Sequence, residues 1–178
     1  IGTRALPQGH PDRYASFVLN TVLGGSMSSR LFQNVREKRG LVYSISSGIT
    51  SYSDAGLLSV YAGTGLDSVR EVIRLTLEEM RRLVGERLPE DELRRSKDHI
   101  KGGLLLSLEN TGARMSHLAR QEIYFGRHQP LGEILEEIER VSADDVQRLA
   151  ARLFHGRVGA CVLGDLRGFR PREKELVI

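Results

Sequence analysis

Between Val42 and Gly63 the apolar side chains recur every second residue, whereas on either side they recur every third and fourth. That switch of period rules out an all-helical bundle: the chain must hold a strand pair against a larger block of helices. On the first strand Tyr43, Ile45 and Ile49 are expected on one face, and Val42, Ser44, Ser46 and Thr50 on the other. Ser51-Tyr52-Ser53-Asp54-Ala55-Gly56 supplies turn chemistry, and residues 57–63 return antiparallel.

Around this hairpin the spacing predicts helices. The first covers 11–23 and ends at Gly24-Gly25. A short one runs from Ser28 or Ser29, either of which can cap it, to Arg39, with Gly40 in the left-handed stop position and Leu41 folded back on Val35. Asp67 is read as the cap of a helix with Val69, Val72, Ile73, Leu77, Met80 and Leu83 on one stripe, and Pro89 opens another whose first turn is acidic. A helix from Thr111 to Phe125 is expected to turn Met115, Leu118, Ala119 and Ile123 inward, and a shorter one covers Ile134 to Ile138. Ser142 stands three residues before Asp145, the spacing of a capping box, with Val141 and Val146 placed as a hydrophobic staple. Val158, Ala160 and Val162 alternate again, which predicts a last strand before a charged tail.

Strands and helices in blocks, not in strict alternation, imply an α+β fold: a two-layer α/β sandwich with helices packed on one face of a mainly antiparallel sheet. At 178 residues and 40% hydrophobic side chains the chain is expected to form a single domain over 1–178. The opening at Ile1 is that expected of a piece of a longer chain. The uncovered sheet face is where a peptide or another domain is expected to dock.

Several chemistries are excluded by composition and spacing. A single cysteine, Cys161, cannot build a disulfide framework or a Cys-rich zinc module, and it favours a reducing, cytoplasmic setting. No apolar run reaches the ~20 residues of a membrane span. The net charge is only +3, and the basic residues are interspersed with acids, so the basic face of a nucleic-acid binder is absent. None of the five histidines lies three to five residues from another, as two ligands on one helical turn would, and His99 and His117 read as helix-surface residues. Gly24-Gly25-Ser26-Met27-Ser28-Ser29 precedes a helix and could cradle an anion, but it lacks the lysine of a P-loop and the spacing of a dinucleotide loop, so a flexible helix connector is the favoured reading. No G-x-S-x-G elbow occurs.

What remains is a pair. Arg36 falls in the last turn of the short helix and Tyr43 enters the following strand across the Gly40 reversal. A guanidinium fork and a phenol hydroxyl could hold a peptide carbonyl or the oxyanion formed when it is attacked. Alternatively, Arg36 simply suits a helix C-terminus and Tyr43 places its ring in the core.

The stretch from Leu23 to Ser44, reading LGGSMSSRLFQNVREKRGLVYS, resembles the second homologous half of the pitrilysin and mitochondrial processing peptidase family of zinc metallopeptidases. His10 to Tyr14 with Leu19-Asn20, Ser116 to Tyr124, and Val141 to Leu153 resemble the same family in the same order. The resemblance implies a clamshell of two α+β halves that hold peptide between them. Zinc is then the cofactor of the complete enzyme, bound in the other half by an inverted H-x-x-E-H motif that is absent here. It also implies that Arg36 and Tyr43 are the catalytic contacts reaching substrate from the zinc-free half, and that Gly24 and Gly25 belong to a substrate-binding glycine segment. The implied partners are the zinc-bearing N-terminal half, on the same polypeptide or a separate subunit, and a peptide substrate. An isolated half is expected to be inactive and able to self-associate. The rival implication is a non-catalytic structural or chaperone-like subunit, as in the core subunits of a respiratory complex.

Overall fold

The computed structural model describes all 178 residues. Three antiparallel strands form a sheet in the order β1-β3-β2: β1 is Gly2–Ala5, β2 Val42–Ser51 and β3 Gly56–Thr64. The hairpin pairs Ile45 with Ala62, Ser47 with Val60 and Ile49 with Leu58, and β1 joins the other edge of β3 with Gly2 opposite Ser59. Six α-helices follow the sequence: α1 (Arg13–Leu23), α2 (Val69–Gly85), α3 (Glu90–Ser107), α4 (Thr111–Phe125), α5 (Leu131–Arg140) and α6 (Ala143–Leu153). The inward row of the sheet, Val42, Ile45, Leu58 and Val60, is buried against Val18, Leu19 and Val22 of α1, Val72, Leu77 and Met80 of α2, and Val146, Leu149 and Leu153 of α6. The opposite sheet face carries Ser46, Ser59 and Tyr61 to the surface. This is the α+β sandwich that the periodicity predicts. No helix is long and apolar enough to cross a membrane.

Local expectations divide according to what decides them. Ser142 caps α6 as predicted: its hydroxyl accepts the Asp145 N–H at 3.1 Å, the Asp145 carboxylate accepts the Ser142 N–H at 2.9 Å, and Val141 and Val146 are both buried. Gly126 ends α4 at φ +61. Asp67 is no cap, because it lies in a 3-10 turn, Leu66–Ser68, ahead of α2. The fifth helix is longer at both ends than Ile134 to Ile138.

Two corrections concern faces. The strand register slips between Val42 and Ser44, so Val42 joins Ile45 on the buried face and Tyr43 is thrown outward, 87% exposed. The core placement of the Tyr43 ring is thereby overturned. In α4, Met115, Leu118, Ala119 and Ile123 face solvent, as do Leu105 and Leu106 of α3. The inward side of α4 is polar instead: the Gln121 side-chain carbonyl accepts the Gln129 N–H at 2.9 Å, and Arg13 of α1 stacks on the Phe125 ring at 5.0 Å. Spacing identifies a stripe but not the direction in which it points. The predicted last strand is reduced to isolated bridges, Gly2 with Gly159 and Arg157 with Val177.

Candidate active-site contacts

The short helix after Gly24-Gly25 is not α-helical for most of its length. Phe32–Glu37 is a π-helix, in which the Lys38 N–H reaches back five residues to the Gln33 carbonyl. Gly40, at φ +61, then reverses the chain, with its N–H on the Arg36 carbonyl and the Leu41 N–H on the Val35 carbonyl. These closures reach one residue further back than a Schellman ending on an α-helix, as a widened last turn requires. Neither Ser28 nor Ser29 caps the segment: the Ser28 hydroxyl meets that of Ser26, and the Ser29 hydroxyl is buried without a partner.

Arg36 projects from this π segment half-buried, with its guanidinium 4.6 Å above the Phe32 ring. It forms no ion pair and no hydrogen bond, although its own turn contains Glu37. Stacking on an aromatic face orients the planar cation while leaving its donors unspent. Tyr43 begins β2 just beyond the reversal, and its hydroxyl is likewise unbonded. The π segment packs directly on β2, so both side chains issue from one joint, and no hydrogen bond links them.

That joint is held by residues that sequence spacing does not single out. Arg30 clamps Glu92 of α3 with two bonds, 3.0 and 2.7 Å. Burial works against the Arg30 charge, but the Glu92 carboxylate outweighs it, and the guanidinium is held above its ordinary range. Asn34 donates to the buried carboxylate of Glu79 on α2, and its carbonyl accepts from Arg39 at 2.9 Å. Two polar atoms of this network, Arg30 Nη1 and Glu79 Oε2, are buried without partners. Glu92 is legible from sequence only as a first-turn acid, and a partner 62 positions away leaves no local signal.

The glycine pair contributes a close approach, not slack. At Gly24 a Cβ would stand 2.6 Å from the Ser47 nitrogen, and the Gly24 carbonyl accepts the Ser47 N–H at 3.0 Å, pinning the connector to β2. Gly25 lies exposed over the end of α1, where a Cβ would sit 3.0 Å from Cα of Thr21. The fit to a metal is poor: no three His, Cys, Asp or Glu side chains converge anywhere in the chain.

The family model described as "Peptidase M16 inactive domain" matches residues 1–100. The "Uncharacterized zinc protease YmxG" of Bacillus subtilis is 43% identical over 154 residues, covering 86% of this chain and 38% of that protein. A protein of Mycobacterium tuberculosis, also named as a zinc protease, is 40% identical over 176 residues, covering 99% of this chain and 40% of that one. This chain therefore spans about two fifths of the length of those curated relatives. Among solved structures, a conserved protein from Enterococcus faecalis superposes with a TM-score of 0.76 at 27% identity, over 85% of this chain and 36% of its own. A "peptidase M16 inactive domain from Pseudomonas fluorescens" shares the fold, with a TM-score of 0.76 at 21% identity over 85% of this chain and 36% of its own. The chain belongs to the M16 peptidase family, as its zinc-free C-terminal half.

Proposed function

We propose that this chain is the substrate-binding and transition-state-stabilising half of a zinc-dependent metalloendopeptidase. Zinc and its ligands then lie in a separate N-terminal half, and peptide is held between the two. The observation that carries the reading is the state of Arg36 and Tyr43: two strong donors on one joint, neither engaged within the chain and neither in the core. Arg30, by contrast, is committed to Glu92 within the fold. The guanidinium fork and the phenol hydroxyl hydrogen-bond the peptide carbonyl oxygen, and hold it more tightly as negative charge builds on it. Gly25, the exposed member of the glycine pair, is the one with surface to offer a peptide.

The test uses the full-length enzyme. Arg36→Ala or Tyr43→Phe is expected to lower turnover by about 10² to 10³, the usual effect of losing one oxyanion donor, with little change in Tm because neither group is bonded in the fold. Undiminished turnover in both variants defeats the assignment.

A further inference from the structure

Asn34 stands two residues ahead of Arg36 in the π segment and is tied at both its ends. Its side-chain amide donates to the Glu79 carboxylate on α2, and its main-chain carbonyl accepts from the Arg39 guanidinium at 2.9 Å. The second bond bears on the width of the turn. In an α-helix the Lys38 N–H would close on the carbonyl four residues back, which is that of Asn34. Here Arg39 takes the place of that N–H, and the Lys38 N–H goes to Gln33, five residues back, at 3.0 Å. Such a wide turn is rare and persists only where its surroundings impose it. Leu31 and Val35 anchor the segment in the core, and the Asn34 side chain ties it to α2.

The residue that holds Asn34 is placed where a carboxylate works against stability. Glu79 is 4% exposed, on a helix whose neighbouring side chains Thr76, Met80 and Leu83 are buried, and one of its oxygens has no partner. Its other contact, Arg82, lies one turn along the same helix at 3.4 Å and bonds Glu86 as well. The group that depends on Glu79 is therefore Asn34.

We propose that Glu79 is a positioning residue for Arg36: by holding Asn34 toward α2 it keeps the turn wide, and the wide turn sets the Arg36 guanidinium over the Phe32 ring with its donors free. The proposal rests on the catalytic reading of Arg36. When Asn34 is released, the Lys38 N–H can displace Arg39 and close on the Asn34 carbonyl. The turn then narrows by one residue, and the side chains after Asn34 are re-aimed against those before it, Arg36 against Phe32 among them. Glu79 itself touches no substrate, and its effect on the reaction passes through Asn34 and Arg36. A misplacement of about 1 Å in a catalytic group can cost ~10²-fold in rate, so a tie this far from the chemistry has a measurable consequence.

Kinetics and thermal unfolding of the full-length enzyme test it together. Asn34→Ala and Glu79→Leu are each expected to lower kcat about 10- to 100-fold with little change in KM, because a misaimed oxyanion donor is missed chiefly in the transition state. Glu79→Leu is expected to leave Tm no lower, since leucine fills the buried position without an unpartnered oxygen, while Asn34, half-buried, and Arg82, exposed, can turn to water. Glu79→Gln still offers Asn34 an acceptor and is expected to recover most of the turnover. The deciding measurement is the cycle with Arg36→Ala, a background in which Asn34→Ala is expected to cost nothing further. An equal loss with and without Arg36 overturns the proposal, as does undiminished turnover in both Asn34→Ala and Glu79→Leu. So does a fall in Tm that parallels the fall in turnover, which would make Glu79 a structural residue only. Undiminished turnover in Arg36→Ala alone overturns the catalytic reading and this proposal with it, whereas a failed cycle with Arg36→Ala impaired overturns this proposal only.

Discussion

At the scale of single residues, glycines at two positions answer different physical demands, and substitution separates them. Gly40 has open space around it but a φ of +61, so its cost of replacement is conformational. Gly40→Ala is expected to lose about 1 kcal/mol of unfolding free energy, and Gly40→Asn to recover most of that, since asparagine tolerates the left-handed region. Gly24 has ordinary extended φ, and what it lacks is room: a Cβ meets the Ser47 main chain at 2.6 Å. Gly24→Ala is expected to cost about 1–3 kcal/mol by overpacking, and asparagine, being larger, rescues nothing. Urea denaturation of the four variants decides it, and a rescue at 24 but not at 40 would invert the assignment. Arg36 makes the third case. Arg36→Lys keeps the charge and loses the planar fork that lies over Phe32, so turnover of the intact enzyme is expected to fall nearly as far as in Arg36→Ala.

Among the elements, α6 has the most complete local signal and offers the clearest measurement. Its capping box joins Ser142 and Asp145, and the bonds from the Ser142 hydroxyl and N–H hold the Asp145 carboxyl below its usual range. A carboxyl lowered on folding stabilises the fold above its unfolded pKa near 4, and that contribution is lost as pH falls through the lower folded value. Ser142→Ala is therefore expected to cost about 1 kcal/mol near neutral pH, roughly 2–4 °C in Tm, and progressively less in acid as Asp145 takes up its proton. A deficit that is constant from pH 7 to pH 2 would show that the carboxylate takes no part. The contrast with β2 and α4 explains what was legible. Caps, the glycine stops and the change of period are encoded within a few residues, and they emerge where the sequence places them. The face of Tyr43 depends on a bulge, a one-residue slip that inverts every side chain before it, and no residue between Val42 and Ser44 announces it. The direction of α4 depends on Arg13 and Gln129 reaching it from other elements. The donors Arg36 and Tyr43 could be picked out because they flank a glycine stop, whereas Arg30, Asn34, Glu79 and Glu92, which hold their joint, could not.

For the molecule as a whole, the decisive property is what its side chains fail to bring together. Zinc needs three or four converging ligands, and the five histidines are dispersed over the fold. His10 sits at the head of α1, accepting the Asp12 N–H at 3.0 Å, and His117 of α4 pairs with Gln121 at 2.9 Å. The Cys161 thiol has no acid or imidazole gathered around it into a metal site. The expected result for this chain alone is a metal content far below one zinc per chain after dialysis, and no peptide hydrolysis with zinc restored. In the full-length protein about one zinc per polypeptide is expected, and its retention should be unaffected by Arg36→Ala even as turnover collapses, as the proposed contact with substrate and not with metal requires. Loss of zinc together with activity in that variant would mean that Arg36 shapes the metal centre of the other half. Stoichiometric zinc on the isolated chain would place the metal in this half and dismantle the division of labour between the two.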